Sequence, residues 1–306
     1  MNTIKKVDST ICGKNIMLTG INQIDFLFNI LVMLFWIHIW NPKPASLIPN
    51  NYTAFVENLT NPVLNLLRPV TGNKTVSALF AMTILIVFRA MAFPGPTQTN
   101  ESINWTVQIG FTTLAPAAFT SGAKILFSAL SFIVFLFHVW AFELLLGIAY
   151  KGHKPDNGVS EFVSRVTYPF SLIKHWMKAL VLLTLGITII ILMDSAATGI
   201  APDFTATGKV LRFFISALAG IANALQLILH MMIGMIIASW IGLLTNSTPV
   251  MAASREWLDF IIGPVLRKFK LQIGMFDLTP LLVLFGLDFA HRIIITLLLI
   301  PYMTIQ

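Results

Sequence analysis

Six apolar stretches, at about residues 24–40, 75–93, 122–150, 175–193, 209–245 and 278–303, divide this chain into segments that reach or approach membrane-spanning length. A helix rises about 1.5 Å per residue, so about 20 apolar residues cross the hydrocarbon of a bilayer. Inside that hydrocarbon every backbone N–H and C=O must find its partner within the protein, which leaves helices as the fitting element for single apolar runs. Composition agrees, since 11% of residues are charged and 56% hydrophobic, against about 25% charged in a soluble domain. The expected fold is therefore an all-α polytopic membrane protein of about six transmembrane helices. The fifth stretch has room for a tilted span with an extension into water, or for a break near Gly220. The segment 106–119 is apolar but short and contains Pro116, so it reads as an interfacial or re-entrant piece.

A formal net charge of +7 would suggest a nucleic-acid partner in a soluble protein. Here the basic residues fall in short segments between apolar runs. The expected partners are the lipid bilayer and anionic lipids, with other membrane proteins or further copies of the chain also open, and not nucleic acid. Twelve of the 20 Lys and Arg lie in or beside the connections after the first, third and fifth stretches, among them Arg68, Lys74, Arg165, Lys174, Lys178 and Arg255. The excess places these three connections in the cytoplasm and both termini outside it, in a cell (plasma or inner) membrane protein. Reporter fusions at Asn157 and Met251 should both read cytoplasm and one at Gln306 the opposite side. A cytoplasmic Gln306 reporter would mean an odd number of crossings or an inverted chain. Residues 1–23 read as a polar tail with no cleavable signal. The sole cysteine, Cys12, provides neither a disulfide framework nor a thiolate metal site.

The three basic connections share a pattern. FVENLTNP at 55–62, FVSRVTYP at 162–169 and WLDFIIGP at 257–264 each place an aromatic residue seven positions before a proline. A tryptophan near the end of the preceding stretch (Trp36, Trp140, Trp240) precedes each. The chain thus divides into three degenerate hairpin-like units, 24–93, 122–193 and 209–303. In the first connection Phe55, Leu59, Val63 and Leu66 recur at steps of four and three, with Glu57, Asn58, Asn61, Asn65 and Arg68 on the other side. In the second, Phe162, Val166, Phe170 and Ile173 repeat the spacing. Short helices patterned this way lie in the head-group plane with the apolar side toward lipid. The proline is expected to kink or end each one.

The third unit is the richest. It carries Trp240 at a membrane end, Pro264 followed by basic Arg267 and Lys268, then Gly274 and an Asp-x-Thr-Pro box formed by Asp277, Thr279 and Pro280. Over about 235–290 this resembles the YggT/YlmG family of small membrane proteins, and the likeness extends weakly to NPVLNLLRP at 61–69. The resemblance implies a non-enzymatic role in membrane-protein assembly, envelope organisation or osmotic tolerance. Read from the residues alone, the box is a helix start: Thr279 suits an N-cap and Pro280 the first helical position. Asp277 would face the positive end of the helix dipole, with Arg267, Lys268 and Lys270 near in sequence to pair with it or with anionic lipid.

Ionisable residues at membrane depth point to function. Glu143, Asp288 and Arg292 are the candidates, with Arg89 beside them; Asp288 and Arg292 stand four apart and can pair. His138 and Glu143 share a rough face. A small ion or solute conduit through Glu143 and Asp288 is one alternative. A haem-binding or haem-assembly role is another, because His38, His138, His230 and His291 fall in or near the stretches. The sequence has no phosphate-binding loop, no H-E-x-x-H and no G-x-S-x-G. The expectation is no enzyme, no catalytic residue, no cofactor and no metal.

Overall fold

The computed structural model describes residues 20–40, 50–92, 106–114, 121–150, 155, 157–198, 207–266, 272–273, 276–277 and 279–305. Cys12, Pro116, the basic patch Arg267, Lys268 and Lys270, and Gly274 lie outside them. The described chain is helical almost throughout, and its α-helices are taken in chain order as three sets of three. The first set is α1 (Gly20–Ile39), α2 (Asn51–Thr71) and α3 (Lys74–Ala92). A hairpin, β1 (Val107–Ile109) with β2 (Thr112–Leu114), follows. The second set is α4 (Ser121–Ala149), α5 (Gly158–Val166) and α6 (His175–Thr198), with a 3-10 turn at Phe170–Leu172 between the last two. The third is α7 (Thr207–Leu244), α8 (Thr248–Leu266) and α9 (Thr279–Thr304), with a small hairpin of β3 (Gln272–Ile273) and β4 (Phe276–Asp277) between α8 and α9.

Five of the six predicted spans, α3, α4, α6, α7 and α9, are helices long and apolar enough to cross a membrane. The remaining one, α1, has the shorter apolar stretch Ile24–Ile39 and packs against α3 and α4. The chain is an all-α, multi-pass membrane protein. Its cores lie between neighbouring helices: Val32, Ala78, Ala81 and Phe132 join α1, α3 and α4, while Phe137, Leu182, Ile189 and Ala217 join α4, α6 and α7. Large apolar side chains such as Leu126, Leu180, Phe285 and Phe289 are exposed on the outside, where lipid is the solvent.

Three expectations take definite form. Helix α7 runs unbroken through Gly220, and its 38 residues span about 57 Å at 1.5 Å each, so length and not a break accounts for the fifth stretch. The described part of 106–119 is a β-hairpin, buried through Val107, Ile109 and Leu114 against α4, α6 and α7. Gly110 makes its tight turn at φ +57°, and any Cβ there would strike the Ser216 carbonyl, so glycine is required on both counts. The prolines do not share one role. Pro62 lies inside α2, which continues to Thr71 and is closed by left-handed Gly72, whose N–H donates to the Arg68 carbonyl. Pro169 follows α5 and begins the 3-10 turn, and Pro264 sits in the last turn of α8. A proline inside a helix forfeits one backbone bond; in α2 the flanking turns and the burial of Val56, Thr60 and Leu64 hold the helix through it.

The two ends of the bundle differ. Helices α2, α5 and α8 gather at one end. At the other, Phe111 of the hairpin meets Tyr302 near the end of α9 at 4.8 Å, and Arg212 lies over the Tyr302 ring at 4.9 Å.

Candidate functional site

The gathered end is a platform built where α2, α5 and α8 meet. Asn50 caps α2 by accepting from the Tyr52 N–H at 2.9 Å, and Asn157 caps α5 by accepting from the Ser160 N–H at 2.8 Å. The two helix starts are tied together, because Asn50 Nδ2 donates to the Gly158 carbonyl at 2.7 Å and to Glu161 Oε2 at 3.2 Å. Glu256 of α8 closes the junction: Tyr52 Oη donates to its Oε2 at 2.8 Å, and the Val159 N–H reaches its Oε1 at 3.4 Å. Two carboxylates thus stand by two helix N-termini, where the backbone dipoles favour negative charge. Burial, with Glu256 beside it, pushes the Tyr52 phenol above its ordinary range, so it remains a donor.

One ring from each connection meets at this junction. Tyr52, Phe162 and Trp257 lie 5.9, 6.1 and 6.2 Å apart, centroid to centroid. Phe162 and Trp257 are two of the three aromatics found seven residues before a proline. The third, Phe55, points away and is 67% exposed, together with Leu59, Val63 and Leu66. The row expected to face lipid on α2 is therefore free of the protein, whereas in its counterpart along α5 and the turn after it Phe170 is buried and Phe162, Val166 and Ile173 are half-buried. Val159, Val163 and Phe170 are buried, and Trp140 stacks on Phe170 at 5.2 Å. Sequence reasoning does not single out Tyr52 or Glu256; the available signal is the pair of asparagines that precede α2 and α5.

The C-terminal motif is spread along this end. Trp240 is 64% exposed near the end of α7. Thr279 and Pro280 open α9, Thr279 being buried, and the Asp277 backbone pairs with Gln272 in the β3–β4 hairpin. The motif thus has the form of helix, hairpin, helix start. Arg267, Lys268 and Gly274 lie outside the described residues, so their relation to Asp277 rests on sequence.

The intramembrane candidates separate into three places. Glu143 of α4 is buried and accepts from Lys178 Nζ of α6 at 2.7 Å, with Lys178 also over the Phe170 ring at 5.3 Å. Asp288 and Arg292 pair on α9 at 2.8 Å, facing outward. Arg89 of α3 is the centre of a buried network. Its Nε donates to Ser128 Oγ at 2.7 Å, its Nη1 to Asn29 Oδ1 at 2.6 Å and Asp25 Oδ1 at 3.3 Å, and its Nη2 to the Ser128 carbonyl. Ser131 donates to Asp25 Oδ2 at 2.7 Å. The histidines are dispersed: His38 bonds Thr60 at 2.6 Å, His291 bonds Asn223 at 3.2 Å, and His138 and His230 contact the carbonyls of Val134 and Gln226 on their own helices.

No family model, no curated protein and no solved structure matches the chain.

Proposed function

We propose that the chain is a non-enzymatic membrane scaffold of the YggT/YlmG type, whose platform supports membrane-protein assembly, envelope organisation or osmotic tolerance. The observation behind this reading is the convergence of α2, α5 and α8 through Tyr52, Phe162, Trp257 and Glu256. Hydrogen bonds and ring contacts spent on fixing three connections to one another make a rigid surface at one membrane face. The three-unit organisation and the Asp277–Thr279–Pro280 box belong to the same proposal, with Arg267 and Lys268 as its anionic-lipid or partner contacts. A conduit accords less well with the geometry. Asp25 and Arg89 bond with Asn29, Ser128 and Ser131, while Glu143 bonds with Lys178 near the opposite end, so the buried charges form separate cross-links.

The reading is tested in cells lacking the chain, complemented with variants. Wild type should restore growth at high osmolarity. Phe162→Ala with Trp257→Ala, and separately neutral substitution of Arg267, Lys268 and Lys270, should fail to restore it while membrane abundance stays within about twofold. The ring pair alone is expected to cost roughly 1 kcal/mol beyond lost burial. Purified chain in liposomes that carried ions well above empty vesicles would turn the assignment toward a conduit.

A further inference from the structure

Helix α9 presents two charges at the depth where lipid tolerates them least. At 1.5 Å per residue, Asp288 and Arg292 stand about 14 and 20 Å along the helix from Thr279, within a hydrocarbon layer about 30 Å thick. Their side chains are 41% and 73% exposed. Arg292 lies about 18 Å from Thr304 as well, too far from either end for its side chain to bring the charge fully into water. Other charged groups of the spans are treated differently: Arg89 and Glu143 are buried between helices. The outward orientation is fixed by packing. Val283 and His291 of the same helix are buried, His291 bonding Asn223 of α7, so α9 cannot rotate without losing them. Only 11% of its apolar window is buried within the chain.

Asp288, Arg292 and Thr296 follow at steps of four and form one polar stripe, extended by exposed Leu281 and Phe285. The ion pair at 2.8 Å cancels the net charge but engages one guanidinium N–H and one carboxylate oxygen, Nε and Oδ2. Both groups have bonding capacity to spare, and lipid tails cannot meet it.

We propose that this stripe is the interface of a homodimer, in which α9 of one copy lies against α9 of a second about a two-fold axis parallel to the membrane normal. A second copy fits because the stripe is complementary to itself. Arg292 reaches back one turn to the level of Asp288, as the 2.8 Å pair shows. The two-fold operation therefore sets two acid–base pairs side by side at one level, where the remaining guanidinium N–H groups of each copy can donate to the carboxylate of the other. A four-charge ring of zero net charge results, with all charged groups between two helices and out of lipid. Thr296, on the same stripe, lies beside its own symmetry mate. The inference rests on α9 alone and is independent of the role given to the platform.

The test uses the full chain in native membranes, with Cys12→Ser and one new cysteine. On mild oxidation Thr296→Cys should give a disulfide-linked dimer at least fivefold more abundantly than Leu180→Cys, placed on the exposed face of α6. Asp288→Arg and Arg292→Asp, each in the Thr296→Cys background, should each lose the cross-link when expressed alone. Co-expressed with different tags, they should regain it between unlike copies, since one stripe is then doubly basic and the other doubly acidic. Equal cross-linking at Thr296→Cys and Leu180→Cys overturns the dimer, and so does failure of the mixed pair to restore the link. Should a like-charge variant fail to insert, the comparison of Thr296→Cys with Leu180→Cys decides alone.

Discussion

Replacing Arg89 with leucine should destabilise the folded chain by about 3–5 kcal/mol, the range for removing one partner of a buried ion pair. Four donated hydrogen bonds disappear with the guanidinium, to Asp25, Asn29 and twice to Ser128. Interhelical hydrogen bonds in membranes average only about 0.6 kcal/mol each, so the bonds alone account for about half of the loss or somewhat more. The rest comes from Asp25, which keeps Ser131 and Asn29 but loses the Arg89 charge. Asp25→Asn in the Arg89→Leu background should therefore recover part of the stability. Arg89→Lys should fall between, because an ammonium keeps the charge but cannot reproduce the planar fork that reaches three residues on two helices. Insertion has the opposite sign: leucine enters hydrocarbon more readily than arginine, so the variant should reach the membrane undiminished and still unfold more easily. Detergent-induced unfolding of the purified protein reads the first quantity and membrane abundance the second. An unfolding midpoint unchanged in Arg89→Leu would mean that the network holds α1, α3 and α4 without depending on its centre.

What the sequence makes legible follows the distance over which each contact acts. Membrane spans are local, since an apolar run of sufficient length has one outcome in lipid, and the five apolar helices of spanning length coincide with predicted stretches. The Asp288–Arg292 pair is local too, read from a four-residue step. The Asp25–Arg89 pair is not, because its members are 64 positions apart and no pattern in either run reveals that α1 lies beside α3. The amphipathic rows show the limit of periodicity. Phe55 and Phe162 occupy the same place in the repeated pattern, yet one faces outward and the other packs on Tyr52 and Trp257. An apolar face must be covered, but its period does not say whether lipid or protein covers it. The hairpin at 107–114 was hidden by the same logic: alternation over three residues on each side of Gly110 is too short to distinguish from an apolar connector.

Lys178 and Glu143 should give unequal losses although they form one ion pair. Lys178 is the fourth residue of α6, and its long apolar stem can carry the ammonium toward the membrane surface if its partner is neutralised. Glu143 lies six residues inside the end of α4, about 9 Å from it, on a short side chain that is 1% exposed. Glu143→Gln should therefore cost about 1.5–3 kcal/mol, the worth of a charge-assisted hydrogen bond. Lys178→Met should cost about 3–5 kcal/mol, because it takes the positive charge away from a carboxylate that cannot follow it out. The lysine variant also gives up the contact over the Phe170 ring, a smaller effect of about 0.5–2 kcal/mol. Combining the two substitutions should bring the cost back toward that of Glu143→Gln alone, since a neutral amide no longer needs the ammonium. Unfolding midpoints for the two single variants and the double variant complete the cycle. Additive losses would show that Lys178 and Glu143 stabilise α4 and α6 independently. A coupling of about 2 kcal/mol or more would establish the pair as the link between the two helices, beside the Phe170 ring on which Trp140 stacks.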